Sequence, residues 1–366
     1  MPDSIRLLEV SPALLSALQA GNERLVIRGD PSDSAVLCTP DQTFDIKEAE
    51  TSNSLLILPQ LHIPEKGNKE SGPPAVVVRK VTNTKAVVQV LGIAHSYLEV
   101  RPCQPRLSRI REILSDDLYF GPEFELGNTR PKYSTDDLLN LVQASSAQIE
   151  AELAKIHACL IDGHWRLLET QYHQKVLQFL MDLVDSNSWP LDQVPRSRIL
   201  DTLVDLVPRC VLEHLLMWYA EPTGATDDSG DVLFRLKAPE ICQNYGEALL
   251  QTTKKCQLQE FMEHWQRTVP PGLIVDLAHL RGVGLQDLSS RPPTICYLPC
   301  WDLPEDVALR FKCLFQFREK WTLEDISPYL EPVVTPTQSV SALLTKHARA
   351  SVHNGIKMYS SRHPIS

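Results

Sequence analysis

The sequence predicts an α+β protein, a β-barrel-like N-terminal region followed by a tandem array of small helical modules. Three observations carry this. The first hundred residues alternate short β-prone runs with turn chemistry. From Tyr133 onward, capped helices take over. One plan, two capped helices followed by a hairpin on an Xaa-Gly turn, stands after Tyr133 and again at the C-terminus.

The β region reads in order as Ile5–Val10, a short helical stretch from Pro12 to Ala20, then Arg24–Arg28, Ala35–Cys38, Thr43–Ile46 and Ser54–Leu58. Gly21-Asn22, Gly29-Asp30-Pro31 and Pro40-Asp41 separate them. Pro64 to Pro74 is poor in apolar residues and reads as a loop; Ala75–Val78, Ala86–Val88 and Tyr97–Val100 continue the pattern. Leu55–Leu58 and Ala75–Val78 are apolar on both faces. Two readings stay open: a small closed barrel, or a half-barrel completed by another polypeptide, since apolar edges must be covered. A helix near Arg106–Leu114 closes this region, 1–114, and the polar stretch 115–132 reads as a linker. Arg101, Arg106, Arg109 and Arg111 read as a solvated face rather than a phosphate contact.

The first module, 133–192, opens with Ser134 capping toward Asp137 and Ser145 toward Gln148, and ends in a hairpin on Asp162-Gly163. The middle modules span 193–310, with Ile199–Val204, Val211–Leu216, Val232–Leu236, Leu258–Trp265, Leu273–Leu280 and Ile295–Leu298 as their elements. Starts near 133, 194, 257 and 320 repeat at intervals of roughly 60 residues, the size of a small helical module with a linking helix. The acidic stretch Glu221–Asp231 reads as a surface loop. In the last module, 311–366, Thr322 caps toward Asp325, and Thr335-Pro336-Thr337-Gln338 reads as the start of a second helix. Val340, Leu343, Leu344 and His347 share its buried side, with Lys346 and Arg349 opposite. A hairpin on Asn354-Gly355 follows. Helix, turn, helix and hairpin is the plan of a winged helix.

Composition narrows function. The net charge of −10 excludes a generally basic nucleic-acid binder. No run of 18 apolar residues is present, and the N-terminus lacks a signal-peptide pattern. Nine scattered cysteines fit reduced thiols in cytosol or nucleus. Phosphate-loop, nucleophile-elbow and zinc-protease motifs are absent, and neither Cys296/Cys300 nor Cys159/His164 gains a second ligand pair. The reading is a non-catalytic protein without metal or cofactor. From Ser339 to Ser366, however, Lys346, Arg349, Lys357 and Arg362 stand without an acid, a local +4. These four are the candidate DNA contacts. A free-standing winged-helix regulator is the alternative.

Sequence blocks spread along the chain also carry a resemblance. Leu25-Val-Ile-Arg-Gly-Asp30, Ala35–Cys38, Glu50–Asn53, Tyr133–Leu139, Gly163–Leu168, Phe317–Thr322 and the ending Asn354–Ser366 resemble the sister chromatid cohesion proteins that are accessory subunits of an alternative replication factor C clamp loader. The resemblance implies a barrel built jointly with a small accessory subunit and the tail of the large ATPase subunit. It also implies C-terminal winged helices, contact with the DNA polymerase epsilon catalytic subunit, engagement of the sliding clamp through the complex, weak sequence-independent DNA binding and a nuclear location. Leu25, Ile27, Leu55 and Ile57 are the candidate partner-binding positions in or beside those blocks.

Overall fold

The computed structural model describes residues 5–21, 24–29, 34–58, 90–288, 290–335, 338–353 and 355–362. Strand β1 (Leu8–Glu9) leads into helix α1 (Pro12–Ala20), where Ser11 accepts the Leu14 amide at 3.3 Å and Gly21, at φ +69°, closes the last turn. Then come β2 (Val26–Arg28), β3 (Val36–Cys38), β4 (Thr43–Ile57) and β5 (Gly92–Pro102). They form one sheet in the order β1-β5-β4-β3-β2, with β1 parallel to β5 and the other pairs antiparallel. Leu14 of α1 packs on Leu37 and Phe44. Among the described residues the edges β1 and β2 do not meet, so the sheet is a curled, open half-barrel.

The strands expected at Thr43–Ile46 and Ser54–Leu58 are one strand. Glu48 and Glu50 keep pairing, with Leu98 and Ser96, and the register slips only before Leu55. There the Thr51 hydroxyl lies 2.6 Å from Asn53 O and 3.1 Å from His95 O, bridging the slipped register. Ala75–Val78, Ala86–Val88 and the loop Pro64–Pro74 lie outside the described residues.

Helix α2 (Ser108–Ser115) packs Ile110, Ile113 and Leu114 against Leu138, Ile149 and Leu153, so it belongs with the first helical module and not with the sheet. The stretch 115–132 is not a linker. Tyr119 is buried and its amide donates to Leu167 O at 2.8 Å. The polarity there answers a buried cation: Arg166 lies 3.0 Å from both Asp117 and Glu125 and donates to the carbonyls of Asp117 and Leu118.

Helices α3 (Thr135–Leu141) and α4 (Ser146–Lys155) both begin in reciprocal capping boxes, Ser134 with Asp137 and Ser145 with Gln148. The hairpin β6 (Ala158–Ile161) and β7 (His164–Leu167) turns on Asp162 and Gly163, at φ 49° and 80°. After α5 (Thr170–Ser186) come β8 (Val194–Pro195), α6 (Arg196–Leu203), α7 (Arg209–Tyr219), β9 (Ala220–Thr226) and β10 (Val232–Leu236). Helix α8 (Ala238–Thr253) leads to β11 (Lys255–Gln257), α9 (Leu258–Thr268), a 3-10 turn (Leu277–Leu280), β12 (Gly284–Asp287) and β13 (Thr294–Tyr297). Helix α10 (Val307–Phe317) leads to β14 (Lys320–Trp321), α11 (Leu323–Leu330), α12 (Val340–His347), β15 (Ala348–His353) and β16 (Ile356–Ser361).

The three-stranded sheets repeat one topology, β8-β10-β9, β11-β13-β12 and β14-β16-β15. Each time a short leading strand pairs with the second strand of the following hairpin; Tyr133 makes the equivalent single bridge to Trp165. Glu221–Asp231 is therefore largely strand and tight turn, not a loop. Its acids have local work: Asp227 accepts the Ser229 and Asp231 amides, and Asp231 accepts the Ser197 and Arg198 amides at the start of α6.

Candidate partner edge and nucleic-acid face

The four apolar positions expected to meet a partner fall in two places. Leu25 and Ile27 lie at the β2 edge, Leu25 half-buried on the sheet's small core and Ile27 64% exposed. Ile27 pairs with Leu37, which pairs with Phe44. Leu55 and Ile57 stand at the far end of β4, roughly 30 Å away at about 3.3 Å per residue. The structure does not bring the two pairs together. Around the second pair stand residues that the sequence reading missed: Leu56 (54% exposed), opposite Ile93 (59% exposed), with Leu91 also exposed. Only the pairing of β4 with β5 makes that apolar arm visible.

The four cations of the C-terminal module are also dispersed. Lys346 is exposed in the last turn of α12. Arg349 is not on that helix. The cap is Ser339, whose hydroxyl accepts the Ala342 amide at 3.3 Å, and not Thr335; Pro336 and Thr337 lie outside the described residues. The helix therefore starts later and stops earlier in the chain than the spacing suggests, and the backbone turns extended at Ala348. Arg349 lies in β15, opposite Ser360, which also faces Lys320 of β14. Lys320 and Arg349 thus share the outer sheet face, an addition no linear spacing announces. Lys357 lies on the other face, its ammonium 5.4 Å from the centre of the Tyr359 ring. Arg362 donates to the Ala348 carbonyl at 3.1 Å and to the Thr345 carbonyl, so its guanidinium caps α12. Among the described residues no carboxylate lies within ion-pair distance of Lys346, Arg349 or Lys357. His347 stacks on Phe311 with ring centres 5.2 Å apart. Burial first, then the charges of Lys346 and Arg362, hold its imidazole below the ordinary value. It adds no charge to this face at neutral pH. Asn354 of the expected turn is outside the described residues; Gly355 has the positive φ, 79°, that such a turn requires.

Displaced titratable groups elsewhere are packing features. His157 stacks on Trp218 at 4.9 Å, and the Tyr219 hydroxyl lies 3.0 Å from His173 Nε2. Burial lowers the two imidazoles to about 4 and about 3. Glu247 is raised by burial and held by Tyr297 and Gln251 at 3.2 and 3.1 Å. Among the described residues no group of three or more His, Cys, Asp or Glu converges as metal ligands do, and no helix is long and apolar enough to cross a membrane.

Residues 5–330 match the family model described as sister chromatid cohesion protein Dcc1. The chain is 43% identical over 362 residues to sister chromatid cohesion protein DCC1 of Mus musculus, covering 98% of this chain and 88% of the relative. It is 40% identical over 362 residues to the Homo sapiens protein of the same name, covering 98% and 89%. The Saccharomyces cerevisiae protein of that name is 24% identical over 371 residues, covering 94% and 93%. The model's span ends at 330, ahead of α12 and the cations around it. The chain belongs to the Dcc1 family of sister chromatid cohesion proteins.

Proposed function

We propose that this chain is a non-catalytic scaffold subunit of an alternative replication factor C clamp loader, acting in the nucleus. Its half-barrel is completed by a small accessory subunit and by the tail of the large ATPase subunit. The helical array, read as tandem winged helices, links the loader to the catalytic subunit of polymerase epsilon and to DNA, and reaches the sliding clamp through the complex. The observation that carries this is the open sheet, whose edge and arm leave Ile27, Leu56 and Ile93 more than half exposed in a chain of a cohesion family. DNA binding falls to the last module, where Lys320, Lys346, Arg349 and Lys357 face solvent. With about three phosphates neutralised, the logarithm of affinity falls with the logarithm of salt at a slope near −3, without sequence preference.

Affinity purification of the tagged full-length chain from cells tests this. Recovery of the ATPase and accessory subunits of the loader is expected. No loader subunit, together with tight binding to one DNA sequence, overturns it in favour of a free-standing winged-helix regulator.

A further inference from the structure

The last hairpin has a feature that its charge does not explain. Val352 is 73% exposed and Ile356 56% exposed, on either side of the Gly355 turn. Single exposed apolar residues are ordinary on a protein surface. These two stand together at the end of a ribbon that carries Arg349 and Lys357, in a stretch without an acid from Ser339 onward. Tyr359 is the last buried residue of β16, and Ile356 lies three residues beyond it. The tip therefore projects roughly 10 Å past the core at about 3.3 Å per residue.

Register adds the decisive detail. Val352 pairs with Lys357, and His353 pairs with Ile356. Cross-strand partners share a face and successive residues alternate, so Val352 and Ile356 point to opposite faces of the ribbon. A flat protein partner calls for one apolar face. An apolar tip on both faces suits insertion between two apolar surfaces. The cations select a polyanion, and in a nucleic acid the apolar surfaces are the faces of the bases. In an intact duplex those faces are stacked away; they open where pairing stops or a step is kinked.

We propose that Val352 and Ile356 form a two-sided apolar wedge that enters an opened base step at a single-strand–double-strand junction of DNA, while Arg349 and Lys357 hold the flanking phosphates. This rests on the nucleic-acid reading of the last module given above.

The test uses the full-length chain and two probes of equal length and end sequence: an uninterrupted duplex, and a duplex with a single-stranded extension carrying 2-aminopurine at the last paired position. Wild type is expected to bind the junction about tenfold more tightly and to raise the 2-aminopurine fluorescence. The double variant Val352→Ser/Ile356→Ser is expected to lose both effects while keeping its duplex affinity, its salt slope and its melting temperature. Val352→Leu/Ile356→Leu is expected to keep the preference. Equal affinity of wild type for the two probes, or a serine variant that keeps the junction preference, overturns the wedge alone. Failure of wild type to bind either probe overturns the nucleic-acid reading beneath it.

Discussion

The Thr43 hydroxyl donates to Gln148 Oε1 at 2.6 Å, and Thr43 Oγ1 itself accepts the Ser145 amide at 2.9 Å. A residue at the start of β4 thereby completes the capping box of α4. Beside it, the Ala147 amide donates to Pro40 O at 3.0 Å. The half-barrel is thus sewn to the first helical module through the N-terminus of a helix, where free amides need partners. The scaffold role proposed above calls for such a joint. Thr43→Val keeps the shape and removes the hydroxyl. Gln148 and Ser145 retain each other, so the cost is about 1 kcal/mol. The Ala147 amide is expected to exchange about fivefold faster by hydrogen–deuterium exchange, with little change in global melting.

Arg310 holds the last module. It is buried and donates to the carbonyls of Pro304, Tyr329 and Leu303 at 2.7, 2.6 and 2.9 Å. Arg310→Met leaves those three acceptors without their donor, and a loss of about 3 kcal/mol is expected in urea unfolding. Arg310→Lys recovers only part of it, since an ammonium does not reproduce the planar fork.

Acid weakens the middle of the array. His157 and His173 titrate near 4 and near 3 in the fold, below the unfolded value of about 6.5. Between those limits the unfolded chain binds more protons, so stability is full above about pH 6.5 and falls as pH drops toward 4. Each ring contributes a slope of up to about 1.4 kcal/mol per pH unit. His157 has φ 55°, which asparagine tolerates. His157→Asn is therefore expected to remove about one proton from the pH dependence of unfolding, measured by urea midpoints from pH 7 to 4.5.

The two ends of the array touch through a small polar contact. Leu107 gives α2 no side-chain cap; Glu305, 197 residues away, accepts the Ser108 amide at 3.0 Å. One turn on, the Arg111 guanidinium lies 4.8 Å from the centre of the Trp301 ring. Glu305→Ala with Arg111→Ala is expected to raise the radius of gyration in small-angle scattering while shifting the melting temperature by only a few degrees.

Local chemistry was legible in the sequence, and long-range chemistry was not. Ser134 and Ser145 cap as their spacing to Asp137 and Gln148 says, because the bond is made three residues on. Asp162-Gly163 turns as read because two positive φ angles are a property of the dipeptide. Arg349 was misplaced onto a helix because the groups capping that helix's last carbonyls come from Arg362, which follows a complete hairpin. Lys320 joins Arg349 only through strand register, and Leu56 and Ile93 meet only across β4 and β5. The polar stretch 115–132 looked solvated because its partner, Arg166, lies in a later hairpin.

The most direct test of the assembly claim is quantitative recovery of loader subunits with Leu56→Asp/Ile93→Asp, two exposed positions paired across the arm. Burying either carboxylate against an apolar partner is strongly unfavourable, while leaving it in water costs the free chain little. The ATPase and accessory subunits are expected to fall at least tenfold in recovery while the variant melts with wild type. Undiminished recovery of both subunits contradicts it, and the half-barrel is then not where this chain joins its complex.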